Sequence, residues 1–131
     1  MSAREAFEAL REQVCEEAGW TASKGGVEVV FPDGRRQRVG LEFFDFEGSE
    51  LVRFHTTIGS SERIEPLRLT TALRLNFGLP HGSLALKNEL LVMVDTLLVK
   101  DADPDEIRAT IRYLAETADH FEKTMFGGDR F

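Results

Sequence analysis

An α+β fold in two layers, running α-β-β-β-α-β-β-α with a mainly antiparallel sheet, is predicted by three features of the 131-residue chain. Apolar residues recur at steps of three and four in segments near both ends, each opened by a capping signature. Between them, β-branched and aromatic residues alternate in short runs broken by Pro, Gly, Asn and Asp, as in a meander of strands. A central segment returns to helical spacing and divides the strands into three and two.

The first helix is read over Ser2 to Ala18, where Ala3, Phe7, Leu10, Val14 and Ala18 share one face. Ser2 and Glu5 form an S-x-x-E capping box, and Gly19 supplies a left-handed stop. A first strand, Val27 to Phe31, turns through Pro32, Asp33 and Gly34 into a long second strand, Arg35 to Glu47. In that strand Val39, Leu41 and Phe43 alternate, and then the apolar phase moves to Phe44 and Phe46. The shift predicts a bulge or a strand covered on both faces. After Gly48 and Ser49, a third strand puts Val52, Phe54, Thr56 and Ile58 on one face and Arg53, His55 and Thr57 on the other.

Ser60 or Ser61 can cap a second helix reaching Asn76, with Pro66 in its first turn. This helix has two apolar stripes. Leu69, Ala72 and Leu73 lie on one side with Asn76, while Ile64, Leu67 and Leu75 lie opposite. One stripe suits the core, and the other needs a different partner. Gly78, Leu79 and Pro80 end the helix. Ser83 to Leu86 and Leu90 to Leu98 then form a hairpin across Lys87, Asn88 and Glu89. The last strand is apolar in both phases, with Leu91, Met93 and Leu97 between Leu90, Val92 and Val94, as in a central strand covered by helices or a second subunit. Asp103, Pro104 and Glu106 start a third helix carrying Ile107, Ile111, Leu114, Ala118 and Phe121 in register, and Gly127 and Gly128 release a short tail.

The length fits a single domain, residues 1–131, with a substantial core. Sixteen basic against 23 acidic side chains give a net charge of −7. That field disfavours nucleic acid and anionic membrane surfaces as partners. The acidity sits on the terminal helices: the first carries Glu5, Glu8, Glu12, Glu16 and Glu17 against Arg4 and Arg11. One Cys cannot form an intrachain disulfide, and neither a secretion signal nor a long apolar run is visible, so a cytoplasmic location is expected.

No catalytic motif is present, and neither a cofactor nor a metal is expected. His55, His81 and His120 have no second His or Cys at metal-ligand spacing. Glu116 and His120 share a helix face as an ordinary surface pair. Cys15 follows Val14 at the apolar stripe, and Glu12, Glu16 and Glu17 would raise its thiol pKa, the opposite of activation. Ser60 and Ser61 stand in Ile58-Gly59-Ser60-Ser61-Glu62, without a nucleophile elbow. Counted from Asp101, a calcium loop would need Gly and an acid where Glu106 and Arg112 stand. Arg35, Arg36 and Arg38, beside Phe43 and Phe44, could grip a single nucleic-acid strand, but a charged strand that blocks aggregation suits the net charge better. Ten Phe face one Tyr and one Trp. Phe43, Phe44, Phe46 and Phe54 occupy both phases of adjacent strands, so not all can face one core. Any left uncovered would attract a partner at about 25 cal/mol per Å² buried.

The run Ala72-Leu73-Arg74-Leu75-Asn76, followed by Gly82-Ser83-Leu84-Ala85-Leu86, Leu90 to Leu98, Asp103-Pro104-Asp105-Glu106 and a long amphipathic helix, resembles bacterial type III secretion chaperones of the Tir-chaperone class. It is also similar to YbjN-like domains of the same architecture. The resemblance covers the element order of the whole chain and identifiable residues from Ala72 to Glu122. It implies a cytoplasmic homodimer that holds a non-globular segment of a partner protein and performs no chemistry. In those chaperones the second helix and neighbouring strands make the dimer contact, which implies that role for Ile64, Leu67, Thr71, Leu75, Leu91 and Met93. Phe43, Phe44, Phe46 and Phe54 are then the candidate partner-binding residues. The YbjN-like alternative implies a regulatory domain that contacts a folded partner in signalling or stress response. The Phe-rich second strand and the arginine cluster carry no mark of either family.

Overall fold

A computed structural model of the chain describes residues 2–126. Its elements are α1 (Ala3–Ala18), β1 (Thr21–Ser23), β2 (Gly26–Val30), β3 (Arg36–Phe46), β4 (Ser49–Ser60), a 3-10 turn (Ser61–Arg63), α2 (Pro66–Asn76), β5 (Ser83–Lys87), β6 (Leu90–Leu98) and α3 (Pro104–Phe126). The six strands form one antiparallel sheet in the order β1-β2-β3-β4-β6-β5. The chain leaves β4 through α2, enters the far edge as β5 and returns inward as β6. The two-layer α+β architecture stands, with one strand more than the sequence pattern showed. Residues 127–131, including the Gly127–Gly128 tail, lie outside the described residues.

The local signals at the helix ends act as their chemistry requires. The Ser2 hydroxyl accepts the Glu5 N–H at 3.1 Å, and the Glu5 carboxylate accepts the Ser2 N–H. Gly19 closes α1 at φ 77°. At α3 the Asp103 carboxylate accepts the Glu106 N–H at 2.8 Å. Both helices pack on one face of the sheet. Phe7 and Val14 of α1 meet Ile107, Ile111, Leu114, Ala118 and Phe121 of α3 over Val27, Val39, Leu41, Val52, Phe54 and Met93. Arg11, only 6% exposed, ties α1 to the first hairpin by donating to the carbonyls of Ser23 and Gly26. That clamp accompanies β1, a three-residue strand too short to announce itself in sequence.

Four expectations need correction. Phe43 and Phe44 mark no bulge: pairing runs unbroken from Gly40↔His55 to Phe46↔Ser49. The phase changes because Phe43 turns to the helices while Phe44 and Phe46 turn to the helix-free face. The register shift falls instead between Thr57 and Gly59, against β6. Secondly, α2 starts at Pro66, and neither Ser60 nor Ser61 caps it; Glu65 is the N-cap residue. Pro66 holds the residue before it extended, so the helix cannot propagate back through Glu65. Thirdly, Ile64 stands outside α2 at φ −110°, ψ 130°, where extended backbone turns it into the core. Finally, Leu73 does not join Leu69 and Ala72 in the core; it is 67% exposed.

Candidate functional site

The helix α2 lies at the β5 edge, where Ala72 and Leu69 pack inward and two polar side chains anchor it. The Asn76 side chain binds the outer edge of β5 at Leu84, donating to its carbonyl at 3.0 Å and accepting its N–H at 2.6 Å. A side-chain amide thus takes the place of a neighbouring strand there. Arg68 donates to the carbonyl of Met125 at 2.9 Å, near the C-terminal end of α3, where a cation complements the free carbonyls. Ala72 is the one buried residue of α2. Leu67, Thr71 and Leu75 run along one flank in water, and Leu73 and Phe77 along the other. Phe77 is 98% exposed and Leu67 71%.

The second uncovered surface is the helix-free face of the sheet. A groove of about 290 Å³ runs from β3 across β4, β6 and β5, lined by Glu42, Arg53, His55, Lys87, Val92 and Val94 among others. His55 packs across Gly40, where a Cβ would stand 2.6 Å from the ring and would push the imidazole aside. Burial pushes the His55 pKa below its usual value. Lys87 adds to that, Glu42 opposes it, and Arg53 and Arg38 reinforce it. A neutral imidazole at neutral pH follows. Further along this face the Arg53 guanidinium lies 4.3 Å from the centre of the Phe44 ring and pairs with Glu42 at 2.7 Å.

The candidate residues therefore separate. Phe54, Ile64, Leu91 and Met93 are core residues of the subunit, none more than 5% exposed, and they present no surface to a partner. Phe43 is half-buried, edge-on to Phe7 at 5.6 Å beneath the Arg4 guanidinium. Phe44 is half-buried and Phe46 is 60% exposed. Leu67, Thr71 and Leu75 remain at the surface together.

The arginine cluster is engaged locally. Arg35 bridges Asp33 and Asp119, each at 2.8 Å; Arg36 pairs with Glu28; and Arg38 donates to Ser23 Oγ and the Lys24 carbonyl. The Cys15 thiol is pushed up first by burial, with Arg11 opposing and Glu12 adding. Sequence spacing missed the exposed Phe77, which stands between the helix end at Asn76 and the stop at Gly78. It also missed Asp95, a half-buried carboxylate in β6 whose signal is a gap in the otherwise apolar Leu91, Met93, Leu97 alternation.

No protein-family model matches the sequence, and no curated protein matches it. The solved structures do. A chain of the HopA1–SchA chaperone–effector complex superposes with a TM-score of 0.62 at 8% identity, over 94% of this chain and 98% of that one. A chain of the ExsC–ExsE complex gives 0.60 at 9% identity, over 91% and 95%. The structure of the Yersinia pestis type III secretion chaperone SycH with a stable fragment of YscM2 gives 0.53 at 16% identity, over 86% and 96%. The chain has a type III secretion chaperone fold. The likeness extends over nearly the full length of both partners in each comparison, so it concerns the whole architecture. In that fold the two surfaces left uncovered here are the two outer flanks of α2 at the sheet edge and the sheet face opposite α1 and α3. No helix among the described residues is long and apolar enough to cross a membrane.

Proposed function

We propose that the protein is a non-enzymatic binding module of the cytoplasm that acts as a homodimer and holds a non-globular segment of a partner protein, as a secretion chaperone does. The observation that carries this reading is α2, an ordered helix that buries Ala72 and leaves Leu67, Leu73, Leu75 and Phe77 in water. Fully covering one such side chain is worth about 1.5–3 kcal/mol, so a partner surface is a strong attractor for the row. Leu67, Thr71 and Leu75 form the dimer contact in this reading. Phe44 and Phe46, on the helix-free face, remain for the client. The chaperone complexes sharing the fold support the same assignment.

Light scattering on the purified chain at micromolar concentration tests the first half: a dimer is expected, and Leu67→Glu with Leu75→Glu should give a folded monomer with an unchanged circular dichroism spectrum. A monomeric wild-type protein overturns the homodimer. Co-expression with the protein encoded by the adjacent gene tests the second half. The expected product is a soluble complex in which a segment of that protein stays sensitive to protease, and a complex with only folded, protease-resistant partner domains overturns it.

A further inference from the structure

On the helix-covered side, where β6 passes beneath the start of α3, a separate cleft of about 220 Å³ opens between His81, Asp95, Leu97, Glu106, Ala109, Thr110 and Tyr113. Asp95 occupies a core-facing register of β6, paired with Phe54 and flanked along the strand by Met93 and Leu97. A carboxylate at such a position is normally neutralised by a cation. Asp95 is half-buried, its carboxylate accepts the Thr96 N–H at 2.9 Å, and no ion pair reaches it or Glu106 among the described residues.

The cleft is also built to stay open. Gly82 sits at φ +65°, and a Cβ there would lie 2.7 Å from the Val94 carbonyl, so only glycine lets this loop press against β6. That close approach brings His81 to Tyr113, ring centroids 5.7 Å apart and nearly perpendicular, as an aromatic wall. Thr110 is 8% exposed, and its hydroxyl has no hydrogen-bond partner among the described residues. The positive end of α3 opposes a cation, but the Asp103 carboxylate already covers it by taking the Glu106 N–H. No three His, Cys, Asp or Glu side chains among the described residues come together as a metal site.

We propose that this cleft receives the guanidinium of an arginine carried by the bound partner segment. Two carboxylates and a hydroxyl supply acceptors for its fork of N–H donors, and the aromatic wall and the apolar flanks of Leu97 and Ala109 suit its flat faces. The source of the arginine rests on the chaperone reading above, whereas the recognition chemistry does not. The site assigns Asp95 and Glu106 as specificity residues for an arginine-bearing client.

The test is a titration of the ¹⁵N-labelled full chain with acetyl-Gly-Arg-Gly-amide, and with the citrulline tripeptide as a shape-matched neutral control. Saturating amide shifts at Thr96, Glu106, Thr110 and Tyr113 are expected with arginine and none with citrulline. Asp95→Asn should weaken binding about tenfold. Glu106→Gln, on an exposed helical turn where folding is not at stake, should weaken it in the same direction. Shifts spread evenly over the acidic faces of α1 and α3, or unchanged in both variants, overturn the site. Shifts of the same amides with rising protein concentration alone would mean that a second copy's arginine fills the cleft, which overturns the client as source. A monomer that still binds the arginine peptide overturns only the homodimer, and a dimer that ignores it overturns only the cleft.

Discussion

Two helices of this chain were written with comparable apolar content and met different fates. Over its 23 residues, α3 buries Ile107, Ile111, Leu114, Ala115, Ala118 and Phe121, all against its own sheet and α1. The 11 residues of α2 bury Ala72 alone, Leu69 is half-buried against the core, and Asn76 and Arg68 anchor the helix while Leu67, Leu73 and Leu75 face water. An apolar stripe shows that a helix needs cover, and topology decides whether the chain itself provides it. The same division runs through β4, where Phe54 is closed under α3 and its neighbour His55 lines an open groove.

A matched truncation gives the largest expected effect. Leu114→Ala should cost about 2–5 kcal/mol in denaturant unfolding, through lost burial and a cavity. Leu75→Ala, measured where the protein is monomeric, should cost less than about 0.5 kcal/mol. Equal losses would break the contrast between the helices. Next, Asn76→Ala strips the β5 edge at Leu84 of both partners and should destabilise by about 1–3 kcal/mol, with amide exchange accelerated first at Leu84 and along α2. Uniform acceleration over the whole chain would show instead that α2 unfolds only with the core. Arg68→Ala removes a cation from the last turn of α3 and should cost about 1 kcal/mol, with loss of protection in α2 exceeding that in the middle of α3.

The smallest effect belongs to the sheet. His55 binds its proton less readily folded than unfolded, because burial, Lys87, Arg53 and Arg38 outweigh Glu42. The unfolded chain therefore takes up more protons, and stability contributed at this position is intact above the usual value of 6.5 and declines as pH falls below it, until the lowered folded value is passed. His55→Gln should remove that part of the acid-side decline and leave the rest, as read from melting temperature against pH. An identical profile for variant and wild type would sink the assignment.

Elements whose ends are fixed by neighbours in sequence were the legible ones. Ser2 with Glu5, Gly19, and Asp103 with Pro104 and Glu106 act within a turn of backbone, so α1 and α3 could be placed closely. The alternation of Val52, Phe54, Thr56 and Ile58 likewise named the covered face of β4, and all four are buried. Ile64 was misplaced because a proline two residues later broke the helical phase that its spacing suggested. Leu91 and Met93 lie inside the subunit because β6 is apolar in both phases, so its alternation could not tell which face receives the helices, and Phe54 lies inside because it follows the covered face of β4 rather than Phe44 and Phe46 on the neighbouring strand. The cleft at Asp95 was invisible in spacing, since His81, Thr110 and Tyr113 reach it from a loop and a helix distant in the chain.

By itself, then, the order of residues determined the helices with their caps, the period-two strands, the acidic terminal helices and a central helix richer in leucine than one layer could absorb. These follow from hydrogen bonds and steric limits acting over a few residues. Only the tertiary structure decided that both flanks of α2 stay in water, that Ile64 goes inside, and that Asp95 ends in one cleft with Glu106, Thr110 and Tyr113. Such outcomes depend on which surfaces meet after the sheet has closed under α1 and α3, and burial is a property of that meeting.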